Sequence, residues 1–113
     1  MFLISPTISC VLSIGGLDPS GGAGLPADAR AVRAFGAHSC AVATAVIAQN
    51  TRGVQHVEAV SAQMLRTQLD VLLDDIAPRG VKIGMIANGE QVQVLREMLD
   101  RWHDFPVVLD PVF

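Results

Sequence analysis

The first apolar run of the chain, SCVLSI at Ser9 to Ile14, stops at Gly15-Gly16, the pattern of a short buried strand. ADARAVRAF at 27–35 is rich in alanine, carries Asp28 in what would be a first turn and ends before Gly36. That predicts a helix with a glycine just past its end. SCAVATAVIA at 39–48 is apolar on both faces and β-branched at Val42, Thr44, Val46 and Ile47, so it predicts a strand covered on both sides. After the polar QNTRG, VQHVEAV alternates weakly and reads as an edge strand or a flap. Ser61 is placed to cap a helix whose Leu65, Leu69, Leu72, Leu73 and Ile76 share one face before Pro78. GVKIGMI at 80–86 predicts a third core strand. Val92, Leu95, Leu99 and Trp102 then recur at helical spacing, and PVVLDPV returns as a strand. This alternation predicts an α/β fold, a mostly parallel sheet with right-handed crossover helices.

Composition narrows the function classes. In 113 residues there is room for one modest core, and with no repeat or linker the whole of 1–113 reads as a single domain. Half of the positions are hydrophobic and 17% charged, with mean hydropathy +0.42, so much of the chain expects to be covered. The net charge is −3 with no cluster of Lys or Arg, which gives nucleic acid or an anionic membrane no electrostatic footprint and favours a small-molecule partner. Cys10 and Cys40 lie far apart in apolar runs, with no CxxC and no histidine at ligand spacing, and read as reduced buried thiols. His38, His56 and His103 share no spacing and read as surface residues. The apolar start lacks a basic leader and is broken by Pro6 and Gly15-Gly16. The longest apolar run, 40–48, falls far short of the roughly 20 residues of a membrane span. The expected compartment is the cytoplasm.

In open α/β sheets ligands bind beyond the carboxyl ends of the strands, which singles out Asp18, Asp28, Gln49, Asn50, Met85 and Asp110 as residues of one rim. The glycine-rich loop between the first strand and helix fails as a phosphate-binding P-loop. Gly16 and Gly21 have its spacing, but Gly22 and Ala23 stand where Lys and Ser/Thr are required. Gly22, Gly24 and Ala27 do match G-x-G-x-x-A, so a dinucleotide site stays open, although the next strand ends in Gln49-Asn50 and not in the acidic residue that grips a ribose. The Gln49 carboxamide offers a donor and an acceptor side by side, which suits the ring nitrogen and amino group of an aminopyrimidine; the alternative is a solvated strand end. Asp28 is either a ring ligand or a carboxylate favoured by the helix dipole, and Asp18 either a ligand or the turn former of Asp-Pro-Ser. Lys82, in an apolar strand, needs a structural ion pair or a substrate-side role, and Met85 is core or contact.

Taken together, GGLDPSGGAG, Ala27-Asp28, TAVIAQNTRGVQ at 44–55, KIGM at 82–85 and VVLDPV at 107–112 resemble the hydroxymethylpyrimidine/phosphomethylpyrimidine kinases of thiamine biosynthesis. The resemblance implies the N-terminal half of a ribokinase-like, three-layer α/β/α fold. It further implies transfer of a phosphoryl group from ATP, with Mg²⁺, to the hydroxymethyl of an aminopyrimidine and then to its monophosphate, by a homodimer. Carried over position by position, it implies Gln49, Gly16, Asp28, Met85, Ile47 and Val112 around the pyrimidine, with the glycine loop facing the acceptor, and Asp110 beside the nucleotide and metal. No catalytic residue is expected within the chain: in the family it lies beyond the position of Phe113, with most of the ATP site, so these 113 residues alone are expected to be inactive. The last strand is expected to leave an edge or a face uncovered. Pro26 departs from the family, which commonly has a polar residue such as Gln there; proline suits a first helical turn but removes a possible side-chain contact. Two other readings stand beside this one: a non-catalytic module for pyrimidine or pyridoxal-like rings, and a dinucleotide-binding Rossmann domain.

Overall fold

Along the first strand Leu12 and Ile14 are fully buried on one face, while Ser13 and Gly15 between them turn to the other. This is the alternation of a sheet covered on both sides. The computed structural model describes residues 9–110. Its elements in chain order are β1 (Cys10–Leu17), α1 (Gly24–Ala34), β2 (His38–Asn50), β3 (Gly53–Ala59), α2 (Ala62–Asp75), β4 (Gly80–Ile83), α3 (Gly89–Arg101) and β5 (Val107–Leu109). They form a sheet of order β3-β2-β1-β4-β5, in which β2, β1, β4 and β5 are parallel and β3 runs antiparallel to β2. The expected α/β fold is present. Because β1 has β2 on one side and β4 on the other, the winding reverses at β1, and the crevice at its carboxyl end is a topological switch point.

The core lies on one side of the sheet, where Leu12, Ile14, Val42, Val81 and Ile83 meet Leu65, Leu69 and Leu73 of α2 and Val94, Leu95 and Met98 of α3. On the opposite face α1 packs on β1 and β2, with Leu25 against the bare main chain of Gly15. Ser61 caps α2 as its sequence predicts, accepting from Met64 N–H at 3.0 Å. Cys10 and Cys40 are buried thiols, and burial, followed by the neighbouring Cys10, pushes the Cys40 thiol up, so it is a poor nucleophile. No helix of the described residues is long and apolar enough to cross a membrane.

Four sequence expectations need correction. Helix α1 begins at Gly24 and not at Ala27, which leaves Pro26 in the first turn but moves Asp28 beyond it; the helix-dipole role for Asp28 falls away. The buried face of α3 is Gln91, Val94, Leu95 and Met98, whereas Val92 is exposed and Leu99 and Trp102 lie at the core's margin. Gln91 displaces the apparent stripe because its side chain is fully buried in polar contacts. Its Nε2 donates to the Thr44 and Val60 carbonyls at 2.9 and 3.0 Å, and its Oε1 accepts from Ala87 N–H at 2.9 Å. Third, β4 stops at Ile83: Gly84 N–H donates to the Ile14 carbonyl at 2.8 Å and the chain then leaves the sheet, carrying Met85 with it. Fourth, β2 is covered on both sides only in part, since Val46 and Ala48 are exposed where the strand runs on into its ribbon with β3. Of the two readings of 54–60, the edge strand holds: it is the antiparallel β3, with every residue exposed. The other edge is β5, whose Val107, Val108 and Leu109 are also exposed.

Candidate ligand-binding site

Beyond the carboxyl ends of β1, β2 and β4 the chain encloses a hollow of about 430 Å³. Its shape starts with glycine. A Cβ on Gly16 would meet Ile47 Cδ1 at 2.7 Å and Met85 Sδ at 3.0 Å, so the absence of a side chain there leaves the main chain bare between two apolar walls. Gly24, at φ +60°, lets the first turn of α1 lie directly on the Gly16 carbonyl, a contact that any Cβ would block.

The loop between these glycines is organised by Asp18. Its Oδ1 accepts from Ser20 N–H at 2.9 Å and Ser20 Oγ at 2.7 Å, and its Oδ2 from Gly22 and Ala23 N–H at 3.1 and 3.0 Å. Asp18 is therefore the turn former. The Ser20 hydroxyl, opposed by desolvation and joined by the three N–H groups, holds its carboxyl below the ordinary carboxylate range. A depressed folded-state value means that this contribution is complete above the unfolded value, about 3.9, and is lost as the pH falls through the folded one. We expect the melting temperature of Asp18→Asn, followed across pH 2 to 6, to fall less steeply toward acid than that of the unaltered chain. The same bonds decide against a dinucleotide, because the N–H groups of Gly22 and Ala23 that would cradle its pyrophosphate are already bonded to a carboxylate.

Charged and polar groups converge on the hollow from separate elements. Lys82 on β4 reaches Asp28 Oδ1 of α1 at 2.8 Å and stands 3.7 Å from Asp110 Oδ2, just past β5. The Gln49 carboxamide, at the end of β2, lines the same space and has no hydrogen-bond partner among the described residues. Below it Thr44 Oγ1 donates to the Met85 carbonyl at 2.8 Å, and with Gln91 it fixes the 84–88 loop from beneath. Of the sequence-predicted site residues, Gly16, Asp28, Ile47, Gln49, Met85 and Asp110 all line this hollow; Val112 lies outside the described residues. Asn50 does not join them: it is the exposed last residue of β2, with its Oδ1 accepting from Arg52 N–H of the following turn at 2.9 Å. Among the described residues no group of three or more His, Cys, Asp or Glu gathers to hold a metal ion, and Asp110 offers a single carboxylate at the mouth.

The family model described as phosphomethylpyrimidine kinase matches residues 18–113, from the glycine loop through the last strand. The chain belongs to this family. Among relatives of this phosphomethylpyrimidine kinase family, the hydroxymethylpyrimidine/phosphomethylpyrimidine kinase of Escherichia coli K12 is 46% identical over 101 residues, covering 89% of this chain and 38% of that protein. The enzyme of the same name from Staphylococcus aureus Mu50 is 39% identical over 110 residues, covering 97% of this chain and 39% of its own. The crystal structure of the phosphomethylpyrimidine kinase from Clostridium difficile superposes with a TM-score of 0.86 at 38% identity, covering 90% of this chain and 44% of that one. The chain spans well under half the length of the relatives it matches.

Sequence reasoning missed Gln91 and left the place of Lys82 open. Gln91 sits among apolar helix positions, and its partners Thr44 and Val60 are far away in sequence, so no local signal marks it. Lys82 had a signal, a cation inside an apolar strand, but its partner Asp28 lies 54 residues away.

Proposed function

We propose that this chain forms the ring-binding part of a kinase that phosphorylates 4-amino-5-hydroxymethyl-2-methylpyrimidine and then its monophosphate. The observation that carries this reading is the Gln49 carboxamide, without a partner among the described residues, facing a hollow floored by the bare main chain of Gly16. An amide that a ligand seals from water must find its bonds on that ligand, and an adjacent ring nitrogen and exocyclic amino group supply its acceptor and donor together. Ile47 and Met85 give the ring apolar contact and Asp28 accepts from it; the family resemblance adds Val112 as a further ring contact. Asp110, with its side chain 63% exposed at the mouth, suits a Mg²⁺ ion held chiefly by phosphates, which needs only one or two carboxylates. ATP, when bound, supplies the phosphoryl group. This chain's part is to orient the ring so that its hydroxymethyl points out of the hollow, while the catalytic residue and the rest of the nucleotide site come from the part of the family fold beyond this chain.

We place the protein in the cytoplasm, where Cys10 and Cys40 stay reduced, and as a homodimer, an assembly favoured by the exposed valines 46, 54 and 57 along the β2–β3 ribbon. A thermal shift assay tests the ligand class. The pyrimidine at saturating concentration should raise the melting temperature, by the mass action of a ligand that binds only the folded state, while NAD⁺ leaves it unchanged. A shift with NAD⁺ and none with the pyrimidine would overturn the proposal.

A further inference from the structure

The ion pair at the hollow holds more than its two charges. Lys82 lies opposite Ser13 in the β1–β4 register, between Val81 and Ile83, which face the core, so its side chain crosses the other face of the sheet toward α1. Gly84 leaves it room: a Cβ there would come within 3.3 Å of Lys82 Nζ. The Lys82 side chain is 28% exposed, and its ammonium contacts carboxylates from two separate parts of the chain, Asp28 Oδ1 at 2.8 Å and Asp110 Oδ2 at 3.7 Å. Among the described residues Asp28 has no other donor. Its Oδ2 is buried without a partner, so among the described residues Lys82 alone supports this carboxylate, while Asp18 is fully engaged within its own loop. Without Lys82 the hollow would hold Asp28 and Asp110 with no intervening positive charge, and Asp28 would have reason to swing toward solvent.

We propose that Lys82 is a positioning residue for the ring ligand. It does not touch the ring; it fixes Asp28 at the wall of the hollow and balances Asp110 across the mouth, so that the site presents one oriented carboxylate to an amino-bearing heteroaromatic ring. This rests on the ring-binding reading above. If Lys82 only pinned α1 to β4, its loss would lower stability and leave ring affinity alone. If it bound the ring directly, its loss would weaken binding whatever residue stood at 28.

A double-mutant cycle read in ring affinity separates these cases. Calorimetric dissociation constants for 4-amino-5-hydroxymethyl-2-methylpyrimidine are measured on the unaltered chain, Lys82→Met, Asp28→Asn and the double variant, with melting temperatures recorded for each. Each single change is expected to weaken binding about tenfold, and the double variant no more than the weaker single, because both act through one carboxylate. Additive losses, or unchanged affinity in Lys82→Met, would overturn the proposal while leaving ring binding intact. Absence of binding by the unaltered chain would overturn the ring-binding reading and this inference with it. Lys82→Gln, closer in shape and still polar, replaces Lys82→Met if the latter does not fold, with the same two outcomes.

Discussion

Gln91→Leu is expected to lower the unfolding free energy by about 3 to 5 kcal/mol, a large share of the roughly 5 to 15 kcal/mol available to a domain of this kind. A hydrophobicity argument gives the opposite sign, since leucine is apolar, of similar size and would stand in a buried stripe beside Val94, Leu95 and Met98. The bonds decide it. Gln91 satisfies the Ala87 N–H and the Val60 carbonyl and adds a second bond to the Thr44 carbonyl, which also accepts from Val60 N–H at 2.9 Å, so leucine would leave the first two groups without their partner. Each such group costs about 1 to 3 kcal/mol, with some relief from relaxation. Val92→Ala, one residue along and exposed, should stay within about 0.5 kcal/mol. Urea denaturation with the slope checked for constancy measures both. Ring affinity should fall in Gln91→Leu as well, because Ala87 anchors the loop that carries Met85.

Gly24→Ala is the second large effect, expected at about 3 kcal/mol or more and accompanied by loss of ring binding. A left-handed φ costs a non-glycine residue roughly 1 to 2 kcal/mol. The remainder comes from a Cβ pressed into the Gly16 carbonyl, which is main chain and cannot swing aside. Relief requires α1 to lift off β1, and that carries Asp28 away from Lys82 and opens the hollow. Gly36→Ala provides the contrast. Gly36 also has a positive φ, +82°, but a Cβ there meets nothing within 4 Å, so only the backbone term applies and ring affinity should not change.

The strands are legible in the sequence because a sheet covered on both faces requires near-continuous apolar runs, and a short run of that kind ending in glycine fits few local structures besides a strand. Helix α2 is legible for a similar reason: its cap, its leucines and its proline stop agree with one another. In α1 and α3, where helix boundaries and faces depart from the sequence pattern, a single residue behaves against its type. Gly24 opens a helix although glycine reads as loop, which shifts the start of α1 and misplaces Asp28. Gln91 occupies a core position although its side chain is polar, and this moves the apparent face of α3 to Val92. The strand-end rule gathers Gln49, Met85, Asp28 and Asp110 because topology alone brings those ends together. It fails for Asn50, which is exposed at the end of β2 and bonded to the following turn, and it gives Lys82 no partner, since that pairing exists only once α1 crosses the sheet.

The claim on which the rest turns is that the Gln49 amide receives a flat heteroaromatic ring on the bare main chain of Gly16. Calorimetric titration of this chain and of Gln49→Ala with 4-amino-5-hydroxymethyl-2-methylpyrimidine tests it most directly. The account predicts saturable binding at one site that weakens about tenfold or more in the variant, with the melting temperature of the ligand-free protein unchanged. Equal affinity in the two proteins, or no heat of binding in either, would contradict it.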